Sequence, residues 1–247
     1  MRKLLIVLIL LTVIVVGLYI YSSSKKIEIT GSEKTKIQAY IKDLYSWKEL
    51  VGEALPEFKN INDANEEWVW DRVQQKLNTS EEYEYTYEQI EKAKKQLFGE
   101  NLTKKFPKEG TEFLIYIDET EKYLAVGIGL DTDEDCFAIS SINKNKEKYI
   151  VEIVEYIIDN GNSYEIDENA KNYEMYLKNL DNEKKEVFTA DLYTETIDGE
   201  EYITSDTKDS EIEKYVLDNQ NKFSKKIVTL EQDSQTNLLY VVNVKNK

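Results

Sequence analysis

The sequence predicts an α+β protein held on a membrane: an N-terminal transmembrane helix, then a helical segment, then a mainly antiparallel β-sheet with helices on one face. Three observations predict it. An 18-residue run without charge opens the chain, apolar residues recur at helical spacing from 32 to about 105, and from about 110 onward they mostly alternate. Runs of helices followed by runs of strands favour an α+β arrangement over a parallel α/β one.

Arg2 and Lys3 precede the run Leu4–Tyr21, which is interrupted only by Thr12 and Gly17. As a helix it spans roughly 27 Å at about 1.5 Å per residue, close to a hydrocarbon core of about 30 Å. Tyr19 and Tyr21 stand at its outer end, where amphipathic rings favour the interface, and Lys25 and Lys26 can snorkel just beyond. A cleaved signal peptide is the competing reading, but its apolar region is roughly 7–15 residues. Ser22 and Ser24 also make a poor cleavage pair. The positive-inside rule favours an inner N-terminus by a small margin. No Cys stands directly after the run, so a lipoprotein anchor is excluded. The expected organisation is a signal anchor in 1–26 (span 4–21), a polar linker in 27–31 and an extracytoplasmic α+β domain in 32–247. The helical part of that domain covers 32–106 and the β-rich part 110–247. Secretion after cleavage is the runner-up.

The first helix is expected over 33–55. Ile37, Tyr40, Ile41, Leu44, Trp47, Val51 and Leu55 form one apolar stripe, Thr30 or Ser32 can cap it, and Pro56 stops it. A second helix, about 64–77, opens at Asp63 with Glu66 three residues later. It buries Val69, Trp70, Val73 and Leu77 and leaves Trp68 about 200° away on the wheel, at about 100° per residue. A third, about 87–98, carries the clearest signature: a Thr86/Gln89 capping box, a Tyr85–Ile90 staple and Gly99 as its stop. Hairpins then follow around Asp118–Lys122 and Asn143–Lys148. Asn160-Gly161 and Asp198-Gly199 are two-residue turn signals. Residues 168–180 fit either period and lean to strand. A helix at about 209–221 precedes a final pair, Lys226–Glu231 and Leu238–Val244.

Four of the 32 basic residues precede residue 27 and none of the 48 acidic ones does, so residues 27–247 carry −20. Such a surface repels nucleic acid, whose binding rests on neutralised phosphates, and it keeps the domain dispersed in water. The chain has no His, which removes Ser-His-Asp and Cys-His catalysis and every His-ligated metal site. Cys136 stands alone, so the fold does not depend on an internal disulfide.

The candidate sites are few. Asp131, Asp133 and Asp135 alternate as in a Ca²⁺ loop, yet Cys136 and Ile142 occupy the places where an EF-hand needs Gly and Glu. An acidic connection between strands competes with a Ca²⁺ site there, and no other cofactor is expected. Gly127-Ile-Gly129 lacks the third Gly of a dinucleotide fingerprint. Trp68 is the candidate exposed aromatic contact. A carboxylate pair for glycoside hydrolysis has no signature that picks it out. The expectation is a non-catalytic binding or interaction domain, tied to the lipid bilayer through residues 4–21 and meeting a protein or cell-envelope ligand. A secreted carboxylate-dependent hydrolase of cell-wall glycans and a Ca²⁺-binding surface module are the alternatives.

Four stretches carry a resemblance: Ile41-Lys-Asp-Leu-Tyr-Ser-Trp47, Gln96-Leu-Phe-Gly99-Glu-Asn, Lys104-Lys-Phe-Pro107 and Asn221-Lys-Phe-Ser-Lys-Lys-Ile227. In these the chain resembles a group of uncharacterised membrane-anchored or secreted proteins of low-GC Gram-positive bacteria. The group has no assigned activity, so the resemblance implies a location and no chemistry.

Overall fold

The computed structural model describes residues 29–46, 51–78, 83–126, 134–158, 172–179, 184–197, 200–205 and 209–247. The expected span at 4–21 lies outside them, and among the described residues no helix is long and apolar enough to cross a membrane. In chain order the elements are α1 (Gly31–Leu44), α2 (Glu66–Leu77), β1 (Glu84–Tyr85), α3 (Tyr87–Phe98), β2 (Leu114–Ile117), β3 (Lys122–Ala125), β4 (Glu134–Asn145), β5 (Lys148–Ile158), β6 (Asn172–Lys178), β7 (Lys185–Ile197), β8 (Glu200–Ser205), α4 (Asp209–Asp218), β9 (Ser224–Gln232) and β10 (Leu239–Asn246). The class is α+β, and every strand pairing among the described residues is antiparallel.

The helices begin where side chains can satisfy orphan backbone donors. Thr30 caps α1: its hydroxyl accepts from Glu33 N at 3.2 Å, and Glu33 Oε2 accepts from Thr30 N at 3.0 Å. Thr86 and Gln89 repeat this reciprocal box on α3, at 3.3 and 2.8 Å. α3 runs over the expected residues and stops at Gly99, whose φ is 67°. The α2 cap differs from expectation. Asn65, not Asp63, accepts from Trp68 N at 3.3 Å, while Asp63 closes a 3-10 turn over Ile61–Asp63. The extent of α1 is a second correction. It ends at Leu44, not near 55, because Tyr45 turns extended at ψ 129°. The apolar stripe continues past that point, but Ser46 N donates instead to Ala54 O at 2.8 Å and the Tyr45 carbonyl accepts from Arg72.

β5 organises the sheets. Along one edge it pairs with β4 over its full length, and along the other with β9 from Lys148 to Glu155 and then with β6 at Ile157 and Ile158. The larger sheet therefore has the order β10-β9-β5-β6-β7-β8, with β4 on the far side of β5, and a separate sheet has the order β1-β3-β2. Within the ambiguous stretch, Asn172–Lys178 forms β6, in agreement with the strand reading; residues 168–171 and 180 lie outside the described residues. The Asp198-Gly199 turn lies outside the described residues, but Ile197 pairs with Glu200 on either side of it.

Alternation sends β5 side chains to two cores. Tyr149, Val151, Ile153 and Ile157 enter the larger one, with Ile41, Leu44, Trp68, Phe98, Leu230 and Val241. Val154 and Tyr156 enter a smaller one, with Ala138, Leu177 and Phe223, covered by Ile212 and Val216 of α4. Helices thus lie on both faces of the sheet, not on one. The correction has a plain cause: the α4 stripe needs an apolar floor, and the even-numbered β5 residues supply it. A bulge between Ile139 and Ser141 lets Ile139 and Ile142 both pack on the larger core despite their odd separation.

Three substitutions test this account. Thr86→Ala removes a capping side chain and should lower stability by about 1 kcal/mol. Gly110→Ala should cost more, since its φ is +85° and an added Cβ would stand 2.4 Å from the Leu114 carbonyl. Urea midpoints should fall in that order, with Gly31→Ala near wild type because nothing lies within 4 Å of its Cβ position.

Candidate functional site

Three polar assemblies stand out, and they differ in what reaches them. The first sits under the break after α1. Asp71 Oδ2 accepts from Arg72 Nε at 2.9 Å and from the Ser46 hydroxyl, while Arg72 also donates to the Tyr45 carbonyl. Asp71 Oδ1 is buried with no hydrogen-bond partner among the described residues. On the other side of Tyr45, its hydroxyl donates to Glu155 Oε1 at 2.7 Å, and Lys226 Nζ lies 3.4 Å from Glu155 Oε2. Lys226 also donates to the Leu55 carbonyl. Glu155 is 1% exposed and Asp71 0%. Both carboxylates are closed to solvent and brace the frame. The Tyr45 ring meanwhile stacks on Phe137 at 4.8 Å between centroids.

The second assembly binds the start of α1 to the sheet. Glu33 Oε1 accepts from Lys144 Nζ at 2.5 Å and from Tyr149 OH at 3.0 Å. The lysine above all, then the Thr30 backbone and the Tyr149 hydroxyl, hold the Glu33 carboxyl well below its ordinary range, at about 2. The same contact pushes the Lys144 ammonium upward. Nearby, Tyr40 OH donates to Leu97 O at 2.6 Å and accepts from Val241 N at 2.8 Å, joining α1, α3 and β10. Burial pushes its hydroxyl strongly upward.

The third is open. A groove of about 520 Å³ lies beside β1, lined by Tyr83, Glu84, Thr86, Gln89, Lys122 and Leu124. Tyr83 is 73% exposed, the largest exposure among the described large apolar side chains. Lys122 Nζ stands 3.6 Å from Glu84 Oε2 on the rim. The groove thus offers an aromatic face, an apolar floor at Leu124 and one charge of each sign. Those are recognition elements: rings stack and charges orient a ligand. Gln89 and Thr86 spend their side chains on the α3 cap, so the groove wall is the helix N-terminus itself. Tyr83 had no sequence signal, being one of 18 Tyr in the chain.

The sequence-predicted residues fall elsewhere. Trp68 is a correction: it is fully buried, not an exposed contact. Its indole N–H donates to Leu44 O at 3.0 Å, and its ring meets Phe58 and Phe98 at 5.9 and 5.6 Å. The wheel argument assumed one buried face, whereas α2 buries every residue from Trp68 to Gln74. Asp131 and Asp133 lie outside the described residues, as do Gly127, Gly129 and Trp47. Asp135 stands in β4 opposite Ile157. Among the described residues no three His, Cys, Asp or Glu side chains gather into a metal-binding group. Cys136 is half-buried against the smaller core. Comparison of the chain with protein-family models, with curated proteins and with solved structures finds no match.

Two outcomes follow. Lys226→Met removes the cation beside the buried Glu155 carboxylate and should cost about 3–5 kcal/mol, much of it recovered in the Glu155→Leu, Lys226→Met double variant; urea unfolding of the four proteins measures the cycle. For Glu33 the folded value lies below the ordinary 4.5, so its stabilisation is complete above about 4.5 and is lost as pH falls toward 2. Glu33→Gln should therefore lower the urea midpoint at pH 7, with the difference from wild type closing through that window.

Proposed function

We propose that the chain is a single-pass membrane-anchored protein that carries its acidic α+β domain outside the cytoplasmic membrane and acts by binding a partner, not by catalysis. The observation that supports binding most is the groove at Tyr83, whose lining suits recognition, while the two buried carboxylates of the junction are committed to the frame. The anchor rests on the 18-residue apolar run and its flanking basic residues. The partner is a protein or another component of the cell envelope. A domain at −20 disfavours nucleic acid.

Carbonate extraction and protease treatment of intact cells test the location. The chain should stay with the membrane pellet, and its C-terminal domain should be cut by protease added outside. Recovery as a soluble species from unlysed cells would overturn the anchor. Tyr83→Ala should abolish partner retention in a pull-down from solubilised membranes while leaving the urea midpoint unchanged, because the ring is exposed. Retention at wild-type level by that variant removes the groove from the reading.

A further inference from the structure

The small sheet has one covered edge and one bare edge. On the β2 side the chain folds back over its own backbone. Thr111 N donates to the Leu114 carbonyl at 2.9 Å, Leu114 N donates to the Thr111 hydroxyl at 3.2 Å, and Gly110 bridges to Ile115. The β10 edge of the larger sheet is covered too, where Phe58 and Val244 exchange two backbone hydrogen bonds at 3.0 Å. β1 has no such cover. Ala125 N donates to the Tyr83 carbonyl at 2.8 Å, so Glu84 and Leu124, which stand opposite each other, form a non-hydrogen-bonded pair. The N–H and C=O of Glu84 therefore point away from β3, and among the described residues neither has a partner.

The register also sorts the side chains. Tyr85 and Tyr123 stand opposite each other and are buried in the larger core. Glu84 and Leu124 share the other face, and Leu124 stands opposite Ile115, which is 50% exposed. That face is the floor of the groove beside Tyr83. A bare edge thus adjoins an open groove at one residue, Glu84. Its carboxylate meets Lys122 at 3.6 Å with both side chains well exposed, a contact that holds little energy and is readily exchanged.

We propose that β1 is a docking edge to which a basic, extended segment of a partner protein adds as an antiparallel strand, with a Lys or Arg opposite Glu84 and an apolar side chain beside Tyr83. The proposal rests on the groove reading above and names the chemistry of its partner. A donor and an acceptor on one edge residue are what a peptide main chain complements, and the alternating side chains supply the selectivity. An opposite charge directly across from Glu84 stabilises the added pair. A domain at −20 also draws a basic segment toward it before contact.

The test uses the full chain in detergent micelles and a synthetic peptide of alternating Lys and Val. Calorimetry follows binding, and hydrogen exchange follows the Glu84 amide. The peptide should bind and slow that exchange several-fold, and the same peptide with its backbone nitrogens methylated should do neither. Glu84→Pro should abolish binding with the urea midpoint near wild type, since the N–H it deletes faces outward and proline is accepted on such an edge. Glu84→Gln should keep the exchange protection and weaken binding several-fold. Equal binding of the methylated peptide, or wild-type binding by Glu84→Pro, would overturn strand addition. If the peptide neither binds nor protects Glu84 while Tyr83→Ala still loses its partner in the pull-down, strand addition falls and the groove reading stands. A neutral oligosaccharide that binds wild type and not Tyr83→Ala, in place of the peptide, would overturn the proposal in favour of a glycan.

Discussion

The structure turns on the point where α1 stops. At Tyr45 and Ser46 the backbone leaves the helix although the apolar stripe invites it to continue. What holds it there is a pair of ionic assemblies on either side of one tyrosine: Asp71 with Arg72 and Ser46, and Glu155 with Lys226. An uninterrupted helix would keep the Tyr45 and Ser46 backbone in its own ladder. Broken, it gives its carbonyl to Arg72 and lets the Tyr45 ring reach both Phe137 and Glu155. The helical half and the large sheet are thereby joined by charge-assisted hydrogen bonds as well as by the shared apolar core.

Local chemistry was legible in the sequence wherever it acts within a few residues. The Thr86/Gln89 box, the Gly99 stop, the hairpin at 143–148 and the closing pair of strands are short-range events, and each emerges close to where it was expected. Long-range effects were not legible. The stop of α1 depends on Arg72, which is 27 residues away. The burial of Trp68 depends on Phe58 and Phe98 closing around α2 from both sides. The helix on the second face of the sheet depends on Val154 and Tyr156 of β5, and alternation alone could not reveal them because each face of β5 mixes apolar residues with a Glu, Glu152 on one and Glu155 on the other. Tyr83 illustrates a different limit, because a residue type this common carries little information until its exposure is known.

Charge is distributed with purpose in relation to depth. Lys94, buried on α3, meets Glu91 at 2.5 Å and the Lys104 carbonyl at 2.8 Å, and Lys226 meets Glu155. Buried cations are thus matched locally, as the high cost of an unpaired interior charge requires. The excess of acids is left for the surface, where water screens it. The acidic balance therefore reports on the exterior and says little about the core.

The bulge at Ser140 has a consequence beyond core packing. β4 is twelve residues long and has β5 as its sole strand partner among the described residues, so its outer side is a row of hydrogen-bonding groups that a passing extended chain could copy. An extra residue in the middle spoils the repeat such a chain would need, and the bend it introduces aims the two halves apart. The irregularity that lets Ile139 and Ile142 share one core also guards the molecule against templated aggregation.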